Sequence, residues 1–181
     1  MMSEKDYLEK VKAERTLMEK IMSYIPGYRG YKEKELRRES DRLVRMEVVN
    51  RLKAAKTDFR RAFANPSAVQ KLSGDDTYRF EAFNARIDRV TQRIDRAVAG
   101  YAGMFDAVKV KENKLDAVLR HDLSLIEKAD AVKASVKKIN QIEAGTEEWR
   151  AAMDAVIAEI EELDALIDGR ANILRGLRGE A

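Results

Sequence analysis

Cysteine and histidine, two residue types that often carry catalysis or bind metals, are nearly absent from this chain of 181 residues, which has no cysteine and one histidine, His121. A di-iron site in a helical bundle needs paired Glu-x-x-His motifs, but the residue three positions before His121 is Val118. Thiolate zinc sites and cysteine nucleophiles are excluded by composition. There is also no glycine-rich phosphate loop, G-x-S-x-G elbow or H-E-x-x-H motif. We predict no catalytic residue, no metal site and no cofactor, and we interpret His121, beside Asp122, as a local polar position rather than a proton-transfer site.

A row of arginines is the first pattern that could bind a charged partner. Arg79, Arg86 and Arg93 recur at intervals of seven residues, and Arg89 and Arg96 lie further out on the same helix. Arginines that flank a helical seam normally pair with acids on a neighbouring helix. The alternative is a ridge that follows the phosphates of a nucleic acid, supported by further bases at Arg29, Lys32, Arg37 and Arg38.

Acidic residues dominate a later segment. From Glu147 to Asp168 there are eight acids and one base, Arg150. Such a face is either solvated or a docking surface for a basic partner. The heptad phase places the candidate docking residues on, or beside, one line away from the predicted core: Glu148, Asp154, Glu161, Glu162 and Asp168.

Two further segments are candidate contact sites. Small residues around Gly100 and Gly103 permit a close helix crossing, either within the chain or with a partner. The turn Ile25-Pro26-Gly27 ends the first helix, because proline excludes the helical conformation from the residue before it. Tyr28, Arg29 and Tyr31 follow this turn, and the two tyrosines are expected to pack over it.

The elements that must position these residues are four predicted helices, at about 3–24, 32–64, 77–143 and 146–178. Ser3 is expected to cap the first helix, and Asn65-Pro66 ends the second. Thr146 with the acids after it opens the last helix, and Gly145 closes the helix before it. The apolar face of the first helix is predicted to comprise Tyr7, Leu8, Val11, Leu17, Met18, Ile21 and Met22.

The third predicted helix rests on a long heptad seam. Apolar residues continue at alternating steps of three and four, broken only by Lys111 and Asp122, and no proline interrupts them. One helix over 77–143 would be about 100 Å long. Gly100 and Gly103 favour the alternative of a kink, because each costs about 1 kcal/mol in a helix interior. The seam begins with Phe80, Phe83, Ile87, Val90, Ile94, Ala97, Tyr101, Met104 and Val108.

These patterns predict an all-α fold in one domain, 1–181. We expect an elongated antiparallel bundle or coiled coil, in which the second and last helices each cover half of the long central one. The thin end of this rod is expected to use a partner surface, for example in a homodimer. The alternative is a compact four- or five-helix bundle with a kink at Gly100 and Gly103.

Charge and hydropathy limit the compartment and the partners. The net charge is only +3, and the apolar runs are far shorter than the roughly 20 residues that cross a bilayer. The first helix carries acids and bases evenly, which argues against a signal peptide and against a helix on anionic lipid. We expect a cytoplasmic protein with no membrane partner.

Two segments resemble motifs of a family of uncharacterised small α-helical proteins from bacteria and archaea. One is Ile-Pro-Gly-Tyr-Arg-Gly-Tyr-Lys-Glu-Lys-Glu-Leu-Arg-Arg-Glu at 25–39, and the other is Tyr-Ala-Gly-Met-Phe-Asp-Ala-Val-Lys-Val at 101–110. The resemblance implies that the proline-glycine turn and the central glycine patch are family features. It implies no activity.

The sequence therefore predicts a non-enzymatic helical interaction or scaffold protein that binds another protein or itself, with no small-molecule substrate. A nucleic-acid or ribosome-associated factor that uses the arginine face is the alternative. A peripheral membrane-surface protein is the lesser alternative.

Overall fold

The computed structural model describes residues 4–30, 34–64, 66–97 and 112–176, and every regular element within these ranges is a helix. The predicted all-α class is confirmed for this part of the chain. The helices are α1 Glu4–Tyr24, α2 Lys34–Ala62, the single turn α3 Pro66–Val69, α4 Gly74–Arg96, α5 Glu112–Ile139 and α6 Glu147–Gly176.

The helix ends follow from local capping. Ser73 and Asp76 form a reciprocal capping box at the start of α4, three residues before the predicted boundary. The Thr146 hydroxyl accepts the backbone N–H of Trp149 at 3.2 Å, so the predicted start of the last helix is confirmed. Gly145 lies in the preceding turn with φ +84°, six residues beyond the end of α5, so it does not close that helix directly as expected. The predicted cap at Ser3 lies outside the described residues.

Two antiparallel hairpins form the frame. In the first, α2 and α4 pair so that Phe59 contacts Phe83 and Lys56 bonds to Asp88. In the second, α5 and α6 pair through Lys128 with Glu162 and Ser135 with Glu159. In both hairpins residue numbers rise on one helix as they fall on the other, which defines antiparallel neighbours.

The two hairpins lie side by side with like helices parallel. Arg51 of α2 bonds to Asp130 of α5, and the backbone carbonyl of Asp58 accepts the Asn140 amide, so numbers rise together along both helices. The ion pairs between α4 and α6 join residues whose numbers all differ by 75, so these two helices are also parallel. The result is a four-helix bundle in which α2, α4, α6 and α5 each contact two neighbours in that cyclic order, while α1 packs on α5.

The predicted continuous helix over 77–143 is wrong. Helix α4 ends at Arg96. Helix α5 is parallel to α2, whereas α4 is antiparallel to α2, so α4 and α5 run in opposite directions. The rod with one thin end is therefore replaced by a bundle four helices thick, as in the alternative that we kept. Folding back lets both halves of the long seam share one core instead of each leaving an apolar face in water. Gly100 and Gly103 lie outside the described residues.

The core contains the predicted seam wherever the structure describes it. Asp122, although polar, is fully buried at its predicted seam position. At the hairpin-loop end, Phe59 and Phe63 contact Phe80, and Phe63 also contacts Trp149, with ring centroids 5.1–5.9 Å apart. The apolar face of α5 is wider than predicted because α5 contacts three helices, which also buries Leu119, Leu123 and Ile126.

Candidate functional site

The arginine row of α4 and the acidic row of α6 face each other. Arg79 Nε lies 2.9 Å from Asp154 Oδ1, and its Nη2 donates a second hydrogen bond of 3.3 Å to Oδ2. Arg86 Nε donates to Glu161 at 2.8 Å. We call this series the charge ladder; its remaining pairs are Arg89 with Asp164, and Arg93 with Asp164 and Asp168.

The charge ladder makes the two predicted docking faces each other's partners. The pairing of flanking arginines with acids on a neighbouring helix is thus observed, and hydrogen bonding to Asp154 raises the pKa of Arg79. Of the two remaining predicted docking acids, Glu162 pairs with Lys128 of α5. Glu148 is exposed and has no ion pair among the described residues. Arg96 is exposed and has no ion pair with any residue that the structure describes. A ligand that bound the paired groups would have to displace intramolecular ion pairs.

The turn residues are divided between the interior and the surface. Tyr28 is buried, and its hydroxyl donates to Asp122 Oδ2 at 3.4 Å, whereas Arg29 is exposed. His121 is buried, and its neighbour in the chain, Asp122, is the buried residue that accepts the Tyr28 hydroxyl. Tyr31 lies outside the described residues. Tyr28 therefore supports the fold of the turn, and Arg29 is the part of it that faces solvent.

The same end of the bundle holds a second buried polar group on α2. Arg45 Nε donates to Asp41 at 2.8 Å, and both side chains are more than nine-tenths buried. The Ser40 hydroxyl donates to the carbonyl of Gly30 at 2.7 Å, which holds the turn against α2. Sequence reasoning missed this group because Asp41 and Arg45, four residues apart, have the spacing of an ordinary exposed ion pair.

A buried ion pair joins α4 to α6 at the other end. Asp76 is fully buried, and Arg150 contacts both of its carboxylate oxygens at 2.7 and 3.0 Å. The hydrogen bond from Arg150, with further bonds from Ser73, holds the pKa of Asp76 well below its usual range despite burial. This arrangement is structural, since both oxygens of the carboxylate are used by the fold.

A groove of about 510 Å³ lies between α2 and α4. Its α2 wall carries Lys53, Lys56 and Arg60, and its α4 wall carries Asp88 and Asp95. Lys56 bonds to both oxygens of Asp88 at 2.6 Å. Lys53, Arg60 and Asp95 have no ion pair among the described residues, so the groove carries an excess of one positive charge.

Helix α1 has an apolar side that the bundle does not cover. Leu8, Val11 and Met22 were predicted to lie on the buried face, but they are 53%, 44% and 47% exposed. The residues that do contact the core lie on a neighbouring face and include Ile21, which is fully buried, and Leu17. The prediction is confirmed for Leu17, Met18 and Ile21. It is wrong for Leu8, Val11 and Met22 because one broad apolar face was assumed, whereas α1 packs substantially against α5 alone. The sequence could have indicated this, because the apolar residues of α1 form two stripes on different sides of the helix, one with Leu8 and Val11 and the other with Leu17 and Ile21.

The described part of the chain contains neither a candidate metal centre nor a helix that could span a membrane. Within residues 4–30, 34–64, 66–97 and 112–176, no group of three histidine, aspartate or glutamate side chains is arranged to hold a metal ion. No helix in these ranges is long and apolar enough to cross a membrane.

No protein-family model, curated protein or solved structure matches this chain. The resemblance of 25–39 and 101–110 to a family of small helical proteins accordingly stays a prediction, and the second of these segments lies outside the described residues.

Proposed function

We propose that this chain is a non-enzymatic helical interaction protein and that α1 carries its principal binding surface. The observation that carries this proposal is the uncovered apolar side of α1 at Leu8 and Val11. Water-exposed apolar side chains that lie together on one helix favour association with another apolar surface. The acids of α6, which the sequence predicted as a docking surface, are largely engaged in ion pairs within the chain.

The residue types support an interaction role rather than catalysis. General acid–base and nucleophilic chemistry need groups that converge on a reacting atom. The buried ionisable pairs Asp76–Arg150 and Asp41–Arg45 are each closed by hydrogen bonds within the fold.

Replacing Val11 tests this function. We expect Val11→Glu to abolish capture of the chain's protein partners, because a charge in the contact must be desolvated. Its unfolding free energy should change by no more than about 0.5 kcal/mol, since Val11 is half-exposed. Met46→Glu on α2 is the matched control, because Met46 is 46% exposed but lies on another helix. Capture that is equal for Val11→Glu and Met46→Glu would remove α1 as the binding surface.

Nucleic-acid binding is the second candidate, and the bases of α2 favour it. Helix α2 holds ten Lys and Arg against five Asp and Glu. Arg42, Lys53 and Arg60 are exposed and have no ion pair among the described residues, unlike Arg79, Arg86 and Arg93 of the charge ladder.

A salt titration with a duplex RNA probe tests the second candidate. If the bases of α2 neutralise phosphates, binding should weaken steeply with salt, and Arg42→Gln/Lys53→Gln/Arg60→Gln should reduce the slope. The triple variant Arg86→Gln/Arg89→Gln/Arg93→Gln should change the slope much less. An equal effect of the two triple variants would show that the arginine row of α4 contributes as much as the bases of α2. No RNA binding at low salt would exclude this function.

A further inference from the structure

Tyr78 is the most exposed of the large apolar side chains that the structure describes. It is 69% exposed, on the outer side of α4. A depression of about 420 Å³ lies beside it along α4, over Ala82 and Ala85, whose side chains are too short to fill it. We call this feature the Tyr78 depression. An aromatic ring that borders open space of this kind can stack against a flat ring of a ligand.

The charges around the Tyr78 depression suit a neutral ring better than an anion. Its charged lining residues are Glu81, Arg86 and Arg89. Both arginines are paired with acids of α6 in the charge ladder, whereas Glu81 is exposed and makes no ion pair with another described residue. A phosphate in this position would meet an uncompensated carboxylate. The depression therefore suits the base of a nucleotide rather than its phosphate.

Groups that can hold phosphates begin where the Tyr78 depression ends. The groove between α2 and α4 adjoins the depression, since the consecutive residues Asp88 and Arg89 line one each. Lys53 and Arg60 on the α2 wall are exposed and make no ion pair with a described residue. Asp95 is the lining acid that likewise has no ion pair in the described ranges. The groove thus offers two cations and one opposing carboxylate to a ligand.

The cations form a line that leads away from Tyr78. Because α2 and α4 are antiparallel, Arg60 lies closer to the level of Tyr78 than Lys53 does. Seven residues separate Lys53 from Arg60, which is about 10 Å of helix. Arg96, also exposed, follows Tyr78 by 18 residues, which is about five complete turns and about 27 Å, so both lie on the same side of α4. We call Arg60, Lys53 and Arg96 the basic track.

We propose that the Tyr78 depression and the basic track bind single-stranded nucleic acid, with one base stacked on Tyr78 and the adjoining phosphates against the track. The proposal deepens the second candidate function and rests on it. A duplex keeps the faces of its bases stacked on each other, so it would leave Tyr78 unused. The three cations of the track are also few for a duplex, which carries one charge per about 1.7 Å. Stacking on an aromatic ring adds affinity for a single strand without further charge.

Fluorescence anisotropy with a labelled oligouridylate of about 12 nucleotides, compared with an RNA duplex of the same length, tests the preference for single strands. The single strand should bind at least about fivefold more tightly at equal salt. Three phosphate contacts predict a log-log salt slope of about −2, and Lys53→Gln/Arg60→Gln should make it shallower by about 1.4. The control Lys137→Gln/Lys138→Gln removes the same charge from α5, which lies diagonally across the bundle from α4, and should leave the slope unchanged.

Tyr78 supplies a readout that charge alone would not move. Tyr78→Ala should raise the dissociation constant about tenfold at an unchanged salt slope, because stacking releases no counterions. Tyr78→Phe keeps the ring and should stay within about twofold of the natural chain. Val69→Ala is the control, since Val69 is 49% exposed at the same end of the bundle. Far-ultraviolet circular dichroism verifies that each variant stays helical.

Asp95 tests the position of the phosphates in the opposite direction. Asp95→Asn removes the carboxylate that opposes Lys53 and Arg60 in the groove. It should therefore tighten binding of the single strand by about two- to threefold. Unchanged or weaker binding would place the phosphates outside the groove and overturn the basic track.

The outcomes separate this inference from the function on which it rests. Preference for the single strand, with a loss on Tyr78→Ala at constant slope, supports it. A duplex that binds as tightly, with no effect of Tyr78→Ala, overturns it while the second candidate function stands. Absence of binding by either probe at roughly 100 μM protein in low salt excludes both. Displacement of the strand by a polyglutamate peptide as readily as by unlabelled oligouridylate would also overturn it, and would indicate an acidic protein segment.

Discussion

Asp76 is the side chain on which two features of the hairpin-loop end depend. It closes the capping box with Ser73 at the start of α4, and it holds Arg150 of α6 through both carboxylate oxygens. Burial alone would raise its pKa, but the hydrogen bonds from Arg150 and Ser73 lower it. The charged form is therefore the one that the folded state stabilises.

The Asp76→Asn substitution should destabilise the protein by about 2 kcal/mol near neutral pH, because it removes charged hydrogen bonds at a buried site. The lowered pKa means that the contribution of Asp76 is complete above its ordinary value of 3.8 and is lost as the pH falls toward the folded-state value. The difference in unfolding free energy between the natural chain and the variant should thus shrink as the pH falls from about 5 to about 2. Chemical denaturation followed by the fluorescence of Trp149 measures it; a difference independent of pH would contradict the assignment.

Gly145 is the glycine whose conformation the fold requires most clearly. It has φ +84°, and an added Cβ would lie 3.2 Å from the backbone carbonyl oxygen of Lys71. Gly145→Ala should cost about 1–2 kcal/mol, because alanine disfavours this backbone region and the carbonyl is not a flexible group. Gly74→Ala is the control, since no atom lies within 4 Å of its added Cβ. Thermal unfolding distinguishes them, and equal melting temperatures would show that the turn adapts.

At the scale of the elements, the charge ladder sets how α4 and α6 lie against each other. Its pairs join residues 75 apart at several levels of the two helices, so a displacement along the helix axis would break them together. Each pair alone contributes little because the side chains are partly solvated. The ladder thus favours the parallel register chiefly through its repetition.

Exchanging one rung tests this view of the ladder. Arg86→Glu and Glu161→Arg should each destabilise by about 0.5 kcal/mol, because both groups are well exposed and each single change creates a like-charge pair. The double variant should recover most of that loss, which a double-mutant cycle in urea would measure. Arg42→Glu combined with Glu161→Arg is the control and should show additive effects, since Arg42 lies on α2 and outside the ladder. Absence of coupling between Arg86 and Glu161 would show that the rung carries no energy in solution.

At the scale of the whole molecule, the bundle and the rejected rod differ strongly in size. A compact chain of this length has a radius of gyration of about 16 Å, and we expect small-angle X-ray scattering at low concentration to give about 16–18 Å. A rod built on a helix about 100 Å long would give about 29 Å or more. Measurement at the lowest usable concentration limits the contribution of paired chains. A value near that of the rod would refute the folded-back bundle.

The sequence by itself determined which seam residues of α4, α5 and α6 enter the core, and it placed the starts of α1, α2, α4 and α6 within about three residues. Ile87, Val90 and Val156 are buried as their heptad positions predict, because helical periodicity is a local property that places residues three and four apart on one face. Thr146 began a helix as predicted for the same local reason, since its hydroxyl satisfies a free backbone N–H in the first turn.

Only the tertiary structure decided how these helices are connected in space. The same heptad seam suits one long helix or two antiparallel helices around a shared core, so periodicity could not show that the chain reverses between Ala97 and Glu112. The arginines of α4 were expected to pair with acids of a neighbouring helix. Which acids they contact depended on how α4 and α6, about 75 residues apart in the chain, are aligned along their axes. Likewise, which apolar stripe of α1 stays exposed depended on the single helix, α5, against which it substantially packs. Contacts distant in sequence set these features, and no local preference specifies them.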